Sequence, residues 1–324
     1  MKKYFDRFYF KITPLNLSLT IILFFILIAI LLYPILIRNI GGAFKYDPEL
    51  VYSQASPGAR RLIENAFIDI GPGEYVDYHV HIIGVGTGNS GCYVNPDMQS
   101  WLHPLLYFKY NVYLSASGIT DLYRTDEQYV ERLVRLIRSI KGHGKYYILA
   151  YDYYYNKDGS INKNKIIFYV PNKYVYNISK KFPDLFIPAV SVHPYRKDAL
   201  QELEYWGRKG VTMVKWLPNA MGMDPSDPDL DTYYRIMKKH DMILMTHTGE
   251  EQAVEAEEDQ ILGNPLLLER ALDIGVKVIM AHCASMGKCR DLSKAEQPEV
   301  ECFELFMKMI RIKKYEGLLY GGIS

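Results

Sequence analysis

The sequence predicts an α/β fold: a TIM-type (β/α)8 barrel lacking its last β/α unit and preceded by one transmembrane helix. Three observations predict it. Short β-branched or aromatic runs alternate with longer amphipathic stretches, the pattern of parallel strands joined by helices. Polar residues finish several of the apolar runs at intervals close to one strand-plus-helix unit. Near the amino terminus an uncharged segment is long enough to cross a bilayer.

That segment comes first in the chain. Residues 15–37 carry no charge, and residues 21–32 are an unbroken apolar run. A membrane helix needs about 20 residues, whereas signal-peptide cores span only about 7–15. The reading is therefore an uncleaved signal anchor over 15–38, although Gly41-Gly42-Ala43 offers a small-residue cleavage site. Lys2, Lys3, Arg7 and Lys11 precede it, offset by Asp6; Arg38 and Lys45 follow. This bias predicts a single-pass protein with residues 1–14 as a cytoplasmic tail and the body on the extracytoplasmic side. Residues 39–74 read as a linker with a short helix over 57–67, closed by a Gly71-Pro72-Gly73 turn.

In residues 75–82, Val76, Tyr78 and Val80 alternate with Asp77, His79 and His81, the period of a strand. Alternation puts both imidazoles on one face, where neutral rings with free lone pairs make half of a divalent metal site. Asp77 shares that face and is expected to fix an imidazole. Residues 84–91 are too glycine-rich for regular structure. They lack the Gly-Lys-Ser/Thr ending of a phosphate loop and read as a mobile cover over a site mouth. Trp101, His103 and Tyr107 read as part of that cover.

Strands are expected over 146–153, 186–193, 211–217, 242–247, 276–282 and 318–323. Helices are expected over 128–140, 197–208, 232–240, 265–273 and 299–313. Residues 111–118 read as a further strand or as part of the cover. Lys215, His247 and His282 each end an apolar run, spaced 32 and 35 residues apart. One barrel unit averages about 31 residues, so all three face one mouth from consecutive strands. Counting back from Lys215 places about 40 extra residues between the first and second strands. No glycine fingerprint follows the first strand, which argues against a dinucleotide fold. The net charge of +1, without a basic stripe, excludes a nucleic-acid footprint. Cys92, Cys283, Cys289 and Cys302 have no metal-knuckle spacing and are too few for a stapled scaffold.

Together Asp77-Tyr-His-Val-His81, the 186–194 run ending in His193-Pro194, Val214-Lys-Trp-Leu-Pro218, Thr246-His-Thr-Gly249 and Ala281-His-Cys283 resemble the amidohydrolase superfamily, in its amidohydrolase-related branch. The resemblance covers residues 75–324. It implies His79 and His81 as first-strand metal ligands, His247 and His282 as the strand-five and strand-six histidines, and Lys215 in the strand-four place. There Lys215 is either a carboxylated metal bridge or a substrate-binding amine. It also implies one or two divalent ions, most naturally Zn, and a small-molecule substrate. His193 and Asn219, at strand ends on the same mouth, are candidates either for substrate contact or for a purely structural role; Cys283 is expected to pack beside His282. The superfamily's strand-eight Asp has no counterpart after His282, because Asp291 follows too soon and lies in a polar loop. The expected function is a membrane-anchored metal-dependent hydrolase with Lys215 and His282 as catalytic residues. The alternatives are a lyase on the same site (decarboxylase or hydratase), or a barrel inactive for want of that Asp and incomplete at its carboxyl end.

Overall fold

A computed structural model describes residues 14–41, 47–71, 73–140, 142–252, 254 and 256–323. The expected tail and the small residues Gly42 and Ala43 fall outside the described residues, as does Pro72 of the expected turn. The chain divides into two units, one of residues 1–45 with 96–119, the other of residues 46–95 with 120–324.

The larger unit is built on seven parallel strands in chain order: β1 (Val76–His81), β2 (Lys145–Leu149), β3 (Phe186–Ala189), β4 (Met213–Trp216), β5 (Ile243–His247), β6 (Val278–Ala281) and β7 (Leu319–Gly322). The β3–β4 junction is a single bridge, Val190 to Val214, with Lys215 N donating to Val190 O at 2.7 Å. No ladder joins β7 to β1 among the described residues. The array is nevertheless strongly curled. Strands β1 and β6 are five places apart, which in a flat sheet means about 24 Å. Yet the rings of His79 on β1 and His282 after β6 lie 5.1 Å apart. Curvature of this kind is that of a β/α barrel.

Side-chain alternation explains the two layers of core. Tyr147, Leu149, Ala189, Met213, Met245, Ile279 and Ala281 point inward and pack on one another inside the curl. The opposite faces of β4, β5 and β6 bury Val214, Leu244 and Val278 against outer helices. In chain order those helices are α4 (Thr125–Ser139), α5 (Asn172–Lys181), α6 (Ala199–Arg208), α7 (Asp231–Lys239), α8 (Glu269–Ile274) and α9 (Cys302–Met309), with α2 (Pro57–Ala66) leading into β1. Strand cores match the expected runs but are shorter; Lys215 and His247 stay in the ladder, whereas His193 and His282 lie just past their strands. The helix expected over 299–313 begins as a strand, Glu299–Glu301, paired with Lys288–Arg290. The one expected over 265–273 starts as a 3-10 turn, Pro265–Leu268.

The smaller unit holds α1 (Pro14–Ile40) and α3 (Pro104–Ala116). Leu17–Ile40 is long and apolar enough to cross a membrane, by length and composition. Of the two readings of 111–118 the strand is overturned, since most of that segment lies in α3. Its β-branched and aromatic residues gave a strand-like reading. Pro104 at the first helical turn favours the helix instead, and the Asn111 and Ser117 side chains bond to the carbonyls four residues back, within the helical geometry.

Cys289 and Cys302 form a disulfide with Cα atoms 4.9 Å apart, a staple that the spacing alone did not reveal. It closes a short loop between the hairpin strand and the start of α9. Cys302→Ser is expected to lower stability by about 3 kcal/mol, read from the shift of a urea unfolding midpoint. A midpoint equal to wild type without reductant, and no effect of reductant on wild type, would disprove the staple.

Candidate active site

The site begins with a fault in β1. Its pairing with β2 slips between Asp77 and Val80, and Asp77 Oδ1 accepts a hydrogen bond from the His79 backbone N at 2.9 Å. In a regular strand Val76 and Val80 would share a face. Here Val76 packs inside the curl and Val80 against the outer cluster. The bulge turns the strand so that Tyr78 stacks on Tyr147 at 5.2 Å while His79 and His81 both reach the mouth. Asp77 therefore does not fix an imidazole as expected; its carboxylate caps the bulge that aims the two rings.

His79 and His81 face each other Nε2 to Nε2 at 3.1 Å. His282 approaches His79 from β6, and His247 from β5 lies 5.4 Å from His282, ring to ring. Lys215 completes the group, its Nζ 3.4 Å from His79 Nε2. Burial, the Lys215 ammonium and the other three imidazoles hold the His79 pKa well below its ordinary value. Packed protein and the same ammonium push His81 down to about 4, although one edge of this residue stays open to solvent. Burial likewise takes His247 to about 3. Lys215, 2% exposed, is pushed down to about 7 by burial, with the Glu251 carboxylate pulling the other way. The structure thus brings His79, His81, Lys215, His247 and His282 into one cluster.

His282 is held there by unusual backbone. His282, Cys283 and Ala284 have φ of 57°, 50° and 50°, three successive left-handed non-glycine residues. Such conformations cost about 1 kcal/mol or more each and gather where function needs a side chain re-aimed. Thr248 Oγ1 donates to Ala281 O just before the turn, and Cys283 Sγ donates to Gly322 O just after it. Burial raises the Cys283 thiol, which fits packing rather than nucleophilic attack.

Two sequence candidates take different roles. His193 is fully buried: its Nε2 donates to Met221 O at 2.8 Å and its Nδ1 accepts from Tyr195 N at 3.1 Å. With both nitrogens used on backbone it clamps two loops and has none left for a substrate. Asp152 supports the clamp, accepting from His193 N and from Arg196 Nη1. Asn219, also buried, donates through Nδ2 to Gly249 O and Gln260 Oε1, while its Oδ1 has no partner among the described residues. Asp291 is spent on Lys308 and Ser293, in keeping with its exclusion as a catalytic Asp.

The sequence reading missed Glu251. Its buried Oε2 lies 3.4 Å from His247 Nδ1, while His247 Nε2 lies 3.3 Å from Glu250 O. The signal was present, since a carboxylate four residues beyond a strand-end His can turn back onto it. Asp126 was missed as well. This buried carboxylate accepts from Val85 N, Gly86 N, Thr87 Oγ1 and Ser90 Oγ, filling the cradle of the glycine-rich loop.

A divalent ion fits the donor chemistry. Two Zn–N bonds of about 2.0–2.1 Å at a tetrahedral angle separate the nitrogens by about 3.3 Å, close to the His79–His81 spacing. Metal ligation requires the neutral imidazole, the form that burial favours for both rings. Among the described residues, however, no three His, Cys, Asp or Glu side chains already enclose an ion, so His247 or His282 would have to swing in to complete a set.

Residues 166–300 match the family profile described as Amidohydrolase. That segment contains Lys215, His247 and His282; His79 and His81 precede it. No curated protein matches the chain. Among solved structures, the chain is similar to an uncharacterized TIM-barrel protein from Bordetella bronchiseptica, at 16% identity over 77% of this chain and 74% of that one, with a TM-score of 0.48. It is also similar to 4-oxalomesaconate hydratase from Rhodopseudomonas palustris, at 14% identity over 76% and 73%, with a TM-score of 0.39. Residues 166–300 are thus similar to the Amidohydrolase profile, and they include β3 to β6 of the curled parallel array.

Proposed function

We propose that this chain is a membrane-anchored, metal-dependent hydrolase of the amidohydrolase type, acting on a small molecule. The observation that carries the reading is the convergence of four imidazoles and one buried lysine at the carboxyl ends of β1, β4, β5 and β6. His79, His81 and His247 would hold the ion, with His282 orienting substrate or serving a second ion. When bound, a divalent ion such as Zn2+ polarises the scissile group and lowers the pKa of water toward about 7. Asn219 Oδ1, buried and unpartnered among the described residues, would accept a hydrogen bond from a substrate N–H or O–H. The Lys215 amine, deep in the same mouth, would bind or exchange a proton with the substrate.

A second reading, a lyase on a small carboxylic acid, rests on Lys215 as well. No described carboxylate lies within ion-pair distance of this buried amine, so a substrate carboxylate is a natural partner. Product analysis separates the two. Release of CO2 or addition of water without cleavage of an amide or ester bond would replace the hydrolase by the lyase. Metal content per chain tests what they share: about one or two ions are expected, and none after purification with added Zn2+ would end both readings.

The anchor and the orientation belong to the same proposal. Leu17–Ile40 leaves nearly all of its apolar surface exposed, unlike the core helix of a soluble domain. The disulfide supports an extracytoplasmic body, because such bonds persist in oxidising compartments. Glu251→Gln is expected to weaken metal affinity about 10–100-fold while leaving the unfolding midpoint close to wild type, because the carboxylate orients the His247 ring. Competition with a chromogenic chelator measures this, and unchanged affinity would remove Glu251 from the site.

A further inference from the structure

The insertion between β1 and β2 supplies α3 to the unit that contains α1. Within that unit the two helices run side by side in the same direction. Tyr33 of α1 meets Tyr107 and Phe108 of α3, with ring centroids 6.4 Å apart in each case. Farther along both helices, a Cβ added to Gly41 would fall 2.9 Å from Ser115 Cβ and from Val112 O. Only glycine allows that approach, so the register is fixed at both ends. Going back from Tyr107 by one turn, about 5 Å, reaches the start of α3. This end therefore lies level with the apolar stretch just before Tyr33, inside the span of α1 rather than past its carboxyl end.

At that level the unit exposes Trp101, Leu102 and Leu105, which are 78%, 68% and 84% exposed. Three large apolar side chains this open, next to a membrane-length helix, are poorly placed for water. Residues 101–116 carry a single formal charge apart from His103, Lys109, whose ammonium reaches back over the Tyr113 ring. Aromatic rings cluster here as well: Tyr33, Trp101, Tyr107 and Phe108. That composition belongs to the headgroup–acyl boundary of a bilayer. Asp97 and His103, paired at 3.4 Å at the same end, keep contact with water, so the leaflet boundary falls near Tyr33, and a span of about 20 residues ending there begins at the start of α1.

We propose that Trp101, Leu102 and Leu105 insert into the leaflet surrounding the carboxyl half of α1, making α3 a second, interfacial membrane contact. The occupant of this surface is lipid. The proposal rests on the reading of α1 as an anchor, and the experiment separates the two.

The full chain is reconstituted into phosphatidylcholine vesicles with a minor share of phosphatidylglycerol. The lipids are brominated either near the headgroup or near the chain ends. Trp206 and Trp216 are buried in the other unit, so the emission lost in Trp101→Phe isolates Trp101. Flotation with the vesicles and resistance to alkaline extraction report the anchor. The expected result is flotation together with Trp101 emission quenched about twofold more strongly by shallow bromines than by deep ones. Flotation with Trp101 emission insensitive to both lipids would overturn the interfacial contact and leave the anchor standing. Failure to float, or release by alkali, would overturn the anchor and this inference with it.

Discussion

His79→Ala and His81→Ala are each expected to abolish stoichiometric metal binding and to lower turnover at least about 1000-fold. The two rings present Nε2 atoms 3.1 Å apart on one bulged strand, close to the spacing of two nitrogens on one zinc ion. Removing either ring leaves only two of the three proposed ligands, His247 and the other β1 histidine, too few for stoichiometric occupancy. Stability should change little, because His81 is exposed at the mouth and His79 packs against other rings rather than the apolar core. His193→Ala sets the contrast. Its ring is fully buried with both nitrogens bonded to backbone, so its loss should cost about 2–3 kcal/mol of stability while folded protein keeps its metal. Elemental analysis of the folded fraction, beside urea unfolding, measures both effects. Full metal content in the His79 or His81 variants would sink the metal site.

That contrast marks where the sequence could be read and where it could not. Lys215, His247 and His282 were legible because a strand buried on both faces leaves few places for a polar side chain, and the unit length of a barrel sets their spacing. His193 obeyed the same pattern, and the pattern left substrate contact and a structural role equally open. A strand end says that a side chain reaches the mouth region, not whether its nitrogens are already used. Asp77 misled outright. Strict alternation assigns it the face of His79 and His81, and the bulge that breaks alternation is made by the Asp77 carboxylate itself. The left-handed turn at His282–Ala284 left no trace in residue type, since none of the three is glycine. Residues 104–116 were illegible as a helix because they are apolar on every side, so no 3.6-residue period emerges. The 40-residue excess between the first strands was legible from length alone. What it builds was not.

Asp126→Ala is expected to destabilise the larger unit by about 3 kcal/mol and to free the loop that follows His81. The carboxylate is buried and accepts from Val85 N, Gly86 N, Thr87 Oγ1 and Ser90 Oγ, while Asp126 N donates back to Thr87 Oγ1. Gly84 is required for this approach, since a Cβ there would fall 2.2 Å from Asp126 Oδ2. The arrangement explains why the run resembled a phosphate loop without its signature. Successive backbone N–H groups form an anion cradle, and the anion is the chain's own carboxylate, supplied by the first turn of α4. A loop tied in this way is a fixed wall beside β1 rather than the freely mobile cover expected from its glycines. Asp126→Asn tests the charge separately from the shape, because an amide keeps one acceptor oxygen but presents donors to the remaining N–H groups. Amide hydrogen exchange at Val85 and Gly86 should rise at least about 10-fold in both variants, and activity should fall through a higher KM as the wall beside His81 loosens. Unchanged exchange would mean that the glycine-rich loop holds its shape without the carboxylate, and that Asp126 serves only the packing of α4.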